Sequence, residues 1–421
     1  MIATLPHVAT WLISASVIAG VIVRPWDLPE ALWPAVGVCA LVLFSLISIQ
    51  DAYLAVRKGT DVYFFLTGMM FLAELARHEG LFDWLASYAV KRSRGSAARL
   101  FTLVYVVGTI VTIFLSNDAT AVVLTPAVYA AAKHANAKPL PYLFICAFIA
   151  NAASFVLPIS NPANLVVFGA HMPALTAWLS EFGVASIFSI AVTYVVLRFT
   201  QRAVLADDIS TDIPLPLLSS GGRIVAGGIG VTAVILIVAS SLDRQLGLPT
   251  FLAGAATMVV ILVRGRSSPW KIVREISWNV LPLVAGLFVL VEAIDNTGVL
   301  ESLTHFLAAQ VAAAPTSTSL IAGGAAALLC NAVNNLPLGL VAGSVAAAGH
   351  LPVQATGTLL IGVDLGPNLS VTGSLATILW LVALRREGQK VSAWRFLALG
   401  SVVMPPALIA ALLSFVWLKV R

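Results

Sequence analysis

The chain has 421 residues, 59% of them hydrophobic and only 10% charged, with a mean hydropathy of +0.97. Soluble domains carry about a quarter charged residues, so composition excludes a soluble enzyme or binding module and makes the whole length a polytopic protein of the lipid bilayer. The net charge of +5 comes from Lys and Arg scattered over short loops, which is an orientation signal and not a nucleic-acid footprint.

Residues 1–7 have neither a Lys/Arg-rich start nor a small-residue cleavage site, so the first apolar run is expected to be a genuine span. Apolar runs long enough to cross a bilayer occur at about 5–23, 31–49, 61–76, 140–157 continuing to 170, 181–198, 223–241, 250–264, 279–296, 351–366 continuing to 384, and 396–418. These are ten expected transmembrane helices. Two further apolar segments, 99–136 and 316–348, are broken in the middle by polar residues. Each half is about 16 residues, short for a span, which predicts re-entrant hairpins. The fold class is therefore all-α polytopic: about ten transmembrane helices plus two re-entrant hairpins.

The chain divides into a first repeat over 1–204, a cytoplasmic linker over 205–222, and a second repeat over 223–421. Each half holds two spans, a third span, an amphipathic stretch (about 79–92 and 299–313), a hairpin, an interrupted span and a closing span. If the side bearing Lys91, Arg92, Arg94 and Arg99 is cytoplasmic, only Arg57, Lys58, Arg244, Lys419 and Arg421 of the 24 Lys and Arg lie on the other side. That bias predicts both termini outside, in the periplasm, and an inverted relation between the repeats.

Polar residues inside these apolar runs are costly, about 2.5–3.5 kcal/mol for a charge at bilayer depth, and persist where protein or a water-filled cavity replaces lipid. The first hairpin tip reads Ser116-Asn117-Asp118-Ala119-Thr120; the second reads Asn331-Ala-Val-Asn334-Asn335-Leu-Pro337 and has no acid. Half-helix N-termini at such tips offer a positive dipole end to an oxygen-rich ligand. The interrupted spans supply Asn151, Ser154, Asn161 and Asn164 around Pro158 and Pro162, and Asp364, Asn368 and Thr372 around Pro367. Proline frees carbonyls that nearby amides or a ligand must satisfy. The expected substrate-binding set is Ser116, Asn117, Thr120, Asn151, Asn161, Asn164, Asn334, Asn335, Asn368 and Thr372. Asp118 and Asp364, the carboxylates inside broken elements, are the expected proton-coupling acids. Glu74, Glu292 and Asp295 sit near span ends, where contact with water explains them equally well. The tripeptide Asn161-Pro162-Ala163 has no second copy, so it is not read as an aquaporin pore. No phosphate loop, nucleophile elbow, metalloprotease His-Glu pair or cofactor motif is present, and Cys39, Cys146 and Cys330 have no paired spacing.

Leu115-Ser-Asn-Asp-Ala-Thr-Ala-Val-Val-Leu-Thr-Pro126, with Asn331-Ala-Val-Asn-Asn-Leu-Pro337 and Gly366-Pro-Asn-Leu369, resembles the ArsB-type arsenite efflux transporters of the ion transporter superfamily. The resemblance covers almost the whole chain, and the first hairpin is also similar to NhaD-type sodium/proton antiporters. Dicarboxylate members usually carry Ser-Asn-Thr at both tips; this chain departs from that pattern, which counts against a dianion. The resemblance implies export of arsenite or antimonite across the inner (plasma) membrane, driven by protons through an elevator-like movement of the hairpin domain. Some members work with a cytoplasmic ATPase of the ArsA type, so a partner of that kind is an implied expectation. Amides, hydroxyls and one or two acids suit neutral arsenous acid, which has three hydroxyls. Thiolates also suit soft metalloids, making Cys146 and Cys330 alternative ligands. Thiolate ligation would slow release, and buried Cys is a common small hydrophobe. The competing readings are a sodium/proton antiporter and, from another class, a channel-like pore for neutral solutes.

Overall fold

The computed structural model describes residues 5–169, 172–210, 217–242, 244–265 and 269–418. Residues 211–216 of the expected linker lie outside these, as do Arg266, Lys419 and Arg421 of the charge count. The first half comprises α1 (Leu5–Val23), α2 (Leu32–Leu43), α3 (Ile49–Lys58), α4 (Thr60–His78), α5 (Leu81–Ser93), α6 (Ala97–Leu115), the single turn α7 (Asn117–Ala119), α8 (Thr125–His134), α9 (Leu140–Ala152), α10 (Pro162–Phe168) and α11 (Leu175–Thr200). The second half comprises α12 (Ser220–Ser241), α13 (Gly247–Gly265), α14 (Pro269–Glu275), α15 (Val280–Asp295), α16 (Val299–Ala313), α17 (Pro315–Val333), α18 (Asn335–Ala348), α19 (Val353–Leu365), α20 (Leu375–Arg386) and α21 (Ala393–Trp417). The protein is an all-helical, multi-pass membrane protein.

Among the described residues, seven helices are long and apolar enough to cross a membrane: α1, α6, α11, α12, α13, α17 and α21. The bent pair α15 and α16, which turns by 77°, would make eight. The ten expected spans differ from this count for physical reasons. α4 has the length but carries Asp61, Glu74 and Arg77, while α2 is only 12 residues and α15 only 16. Proline splits the two interrupted spans into short pieces, α9 with α10 and α19 with α20. The outgoing hairpin arms α6 and α17 are 19 residues each, longer than the sequence reading assigned, because each runs unbroken to the tip residue.

Packing exchanges partners between the halves. α12 and α13 pack on α4, whereas α1 and α2 pack on α15. α10 packs on α18, the return arm of the second hairpin, and α20 packs on the return arm of the first. The closing spans α11 and α21 lie against each other. Two crossings bring backbones together through glycine, a mode that lets helices approach closely without a hydrophobic driving force. Gly68 of α4 meets Gly254 of α13, and Gly323 of α17 meets Gly362 of α19. A Cβ at Gly362 would run into the Gly323 carbonyl. Gly362→Val is therefore expected to destabilise the protein by about 1–3 kcal/mol or more. A lowered melting temperature and loss of the monodisperse peak in detergent would report it; unchanged stability would refute the close-approach argument.

Candidate substrate site

The α6–α8 hairpin turns on one residue. Ser116 holds φ 130° and ψ 164°, a region normally left to glycine, and its hydroxyl accepts from Ala119 N at 3.4 Å to cap α7. Asn334 does the same in the second hairpin, at φ 73° and ψ 152°, accepting from Leu336 N at 3.4 Å at the head of α18. Such backbone costs about 1–3 kcal/mol per residue and persists where surrounding structure enforces it, most often at ligand sites. After the first tip the helix widens into a π-type turn over Thr120–Leu124, another feature that gathers at functional sites. Thr120 is buried there, its hydroxyl 2.8 Å from that of Thr112. Asn117 Oδ1 accepts from Asp118 N at 2.9 Å.

Asp118 and Ser116 line a cavity of about 750 Å³. Its walls are the apolar face of α4 (Phe65, Leu66, Met69, Met70), the hairpin return arm, and Pro162 at the head of α10. Glu74, Arg77, Asp83, Glu275, Arg386 and Glu387 line it as well. Arg77 bonds both Glu74 and Glu275, tying the end of α4 to the end of α14. Counting Asp118, the lining carries five acids and two arginines. At close range, that imbalance repels a multivalent anion and admits a neutral or cationic solute.

The remaining amides lie deeper. Asn151 and Asn368 are fully buried and join the two interrupted spans: Asn151 Nδ2 donates to Asn368 Oδ1 at 3.0 Å, and Asn368 Nδ2 donates to Phe148 O at 3.0 Å. Ser374, which caps α20, donates to Asn151 Oδ1 at 3.2 Å. The carbonyls freed by the first break are taken up locally. Asn164 Nδ2 donates to Ser154 O and Leu157 O, Trp178 Nε1 and Ser186 Oγ to Phe155 O, and Ser189 Oγ to Ala152 O. Asn161 caps α10 and donates to Asp364 Oδ1 at 2.8 Å. In the second break Asn334 Nδ2 donates to Thr372 O, Asn335 N to Gly373 O, and Thr372 Oγ1 to Asn331 O.

The structure thus brings two of the expected residues, Ser116 and Asp118, to the cavity wall. Asn117, Thr120, Asn334, Asn335 and Thr372 lie buried or half-buried in and behind the tips, and Asn151, Asn161, Asn164, Asn368 and Asp364 form the inner polar seam. Cys146 and Cys330 are buried within α9 and α17, and no group of three metal-ligating side chains occurs among the described residues. Sequence reasoning missed the Glu74–Arg77–Glu275 cluster and the α4 wall. The spacing of Glu74 and Arg77 could have flagged the pair, but Glu275 joins them only through the fold.

The chain is 27% identical to an uncharacterised transporter of Mycobacterium tuberculosis, covering 91% of this chain and 92% of the relative. It is also 27% identical to the arsenical pump membrane proteins of Yersinia enterocolitica, with 90% and 92% coverage, and of Escherichia coli K12, with 82% and 83%. The Alcanivorax borkumensis YdaH transporter has the same fold, with a TM-score of 0.58 and 16% identity over 99% of this chain and 98% of that one. Neisseria gonorrhoeae MtrF, from a class of antimetabolite efflux pumps, superposes with a TM-score of 0.54 and 13% identity over 99% and 95%. The family model described as citrate transporter matches residues 12–363, most of the length, so the protein is a membrane transporter of the CitMHS citrate transporter family.

Proposed function

We propose that this protein exports arsenite, and antimonite by the same chemistry, across the inner (plasma) membrane in exchange for protons. The observation that carries the reading is the acidic cavity of about 750 Å³ that ends on Asp118 and Ser116 at the strained hairpin tip. Arsenous acid is neutral, so it is not repelled by five carboxylates, and its three hydroxyls can both donate and accept. Ser116 offers a hydroxyl and Asp118 an acceptor, while Met69 and Met70 present an apolar wall of soft sulfur. A tricarboxylate, which the family description suggests, would face a net excess of like charge in the same cavity. The arsenical pump relatives support the choice among family substrates.

In this reading Asp118 is the cavity-facing proton carrier and Asp364 an internal one. The cavity mouth lies at the ends of α4, α14 and α20, where Arg77, Arg274, Arg385 and Arg386 put the positive, cytoplasmic side. Release to the other side then requires the two hairpins, with α9, α10, α19 and α20, to move against α4 and α13 in an elevator-like step. The exchanged packing of the halves supports two inverted repeats. A cytoplasmic ATPase partner would dock on the same face. Sodium exchange at Asp118 is the second reading, because an acidic cavity also admits a cation.

Arsenite uptake into everted vesicles, with pH gradient and sodium varied independently, tests this. Uptake that follows the pH gradient and ignores sodium supports export; sodium-dependent proton flux without arsenite uptake overturns it. Because both thiols are buried away from the cavity, Cys146→Ala combined with Cys330→Ala is expected to leave arsenite uptake at the wild-type level. Loss of uptake by a stably folded double variant would reassign the metalloid to thiolates.

A further inference from the structure

The interrupted spans enclose two acceptor oxygens that the polar seam leaves unsatisfied. Asp364 is fully buried in α19; Asn161 donates to its Oδ1, and its Oδ2 has no hydrogen-bond partner among the described residues. Asn164 is equally buried, and both its hydrogen bonds use Nδ2, leaving Oδ1 without a donor. Asn161 and Asn164 stand one turn apart at the head of α10, which packs against α19. Ser154 lies between the two groups: its carbonyl holds Asn164, and its hydroxyl, donated to Asn151 O, is beside the Asp364 carboxyl. A buried acceptor left without a donor is destabilising, more so for a charged group. Ser154 brings both groups to the same part of the seam, so one donor between them would serve both.

We propose that Asp364 Oδ2 and Asn164 Oδ1 form a proton-binding site, separate from the substrate cavity, in which protonated Asp364 donates to the Asn164 carbonyl while Asn161 fixes the other oxygen. One proton then satisfies both orphaned acceptors. Asp364 is a carboxyl, so binding adds an O–H bond and release breaks it, giving a carboxylate and a proton that leaves on water. Neither residue lines the cavity, so release requires α10 and α19 to separate, and the proton is exchanged only as the spans move. The elements packed on α19 carry Cys330 on α17, Tyr142 and Cys146 on α9, Glu181, Tyr194 and Arg198 on α11, and Arg395 on α21. Asn164 acts as the proton's acceptor and Asn161 as a positioning residue.

The site serves the proton exchange proposed above, but infrared spectroscopy of the purified protein in lipid reads the proton directly, whichever solute is carried. The expected result is a carboxylic C=O band from a protonated, hydrogen-bonded acid that persists in Asp118→Asn and disappears in Asp364→Asn. Both are near-isosteric changes that leave the fold intact. Asn164→Asp, which gives the proton two carboxylates to share, is expected to shift the band and its pH dependence. A spectrum unchanged by Asp364→Asn would overturn the proposal, as would a band that Asn164→Asp does not move. Displacement of the band by sodium at constant pH would overturn it too, by assigning the site to a metal cation.

Discussion

Asp118→Asn is expected to reduce pH-driven arsenite uptake in everted vesicles to the level of vesicles without the protein. The carboxylate faces the cavity at the hairpin tip, and no described residue donates a hydrogen bond to it, so removing its charge orphans no partner. The amide has the same shape, and Ser116 and Asn117 keep their capping bonds. Expression, size-exclusion profile and melting temperature should therefore match the wild type. Arsenite counterflow at equal pH separates the two roles of the residue. If Asp118 only carries the proton, counterflow survives while pH-driven accumulation is lost; if it also holds the solute, both fall. Undiminished accumulation by the folded variant would remove Asp118 from the mechanism.

Asn368→Ala is expected to act on stability instead. Its side chain spans the two interrupted helices, accepting from Asn151 and donating to Phe148 O, all of it buried. Truncation removes the amide donor to Phe148 O and the nearest acceptor of Asn151 Nδ2, which keeps only longer bonds of 3.4 Å to Ala147 O and Thr377 Oγ1, at a cost of about 1–3 kcal/mol. Thermal unfolding in detergent should show it, and the loss on adding Asn151→Ala should be less than additive because the two residues share one bond. The apparent affinity for arsenite in the surviving protein should not change, since neither residue lines the cavity. A weakened affinity with unaltered stability would instead put Asn368 in contact with the solute.

The two variants separate residues that looked alike in the sequence. Asn117, Asn151, Asn164, Asn334 and Asn368 all appear as small amides interrupting apolar runs, and on cost alone each qualifies as a ligand. The structure divides them by what the broken backbone demands. Pro158, Pro162 and Pro367 release carbonyls at mid-helix, and Asn164 and its neighbours Trp178, Ser186 and Ser189 are occupied in satisfying them. Trp178, Ser186 and Ser189 belong to α11, where the sequence showed only a closing span from about 181, and nothing in their spacing marked them. The same accounting exposes Asp364 Oδ2 and Asn164 Oδ1 as the oxygens left over.

The sequence by itself determined that the protein is helical and membrane-embedded, and where its helices break. Those features follow from local quantities: hydropathy over a bilayer's thickness, and proline or polar residues that interrupt it. Tertiary structure alone decided which interruptions meet. Asn151 pairs with Asn368 across 217 residues and Asn161 with Asp364 across 203, while Arg77 reaches Glu275 across 198. It also decided that the first tip opens on a large cavity while the second lies against a cleft of only about 20 Å³. Long-range pairing and the opening of one side over the other depend on how the helices cross, and close crossings rest on glycine contacts, Gly68 with Gly254 between the halves and Gly323 with Gly362 within the second, that no local pattern encodes.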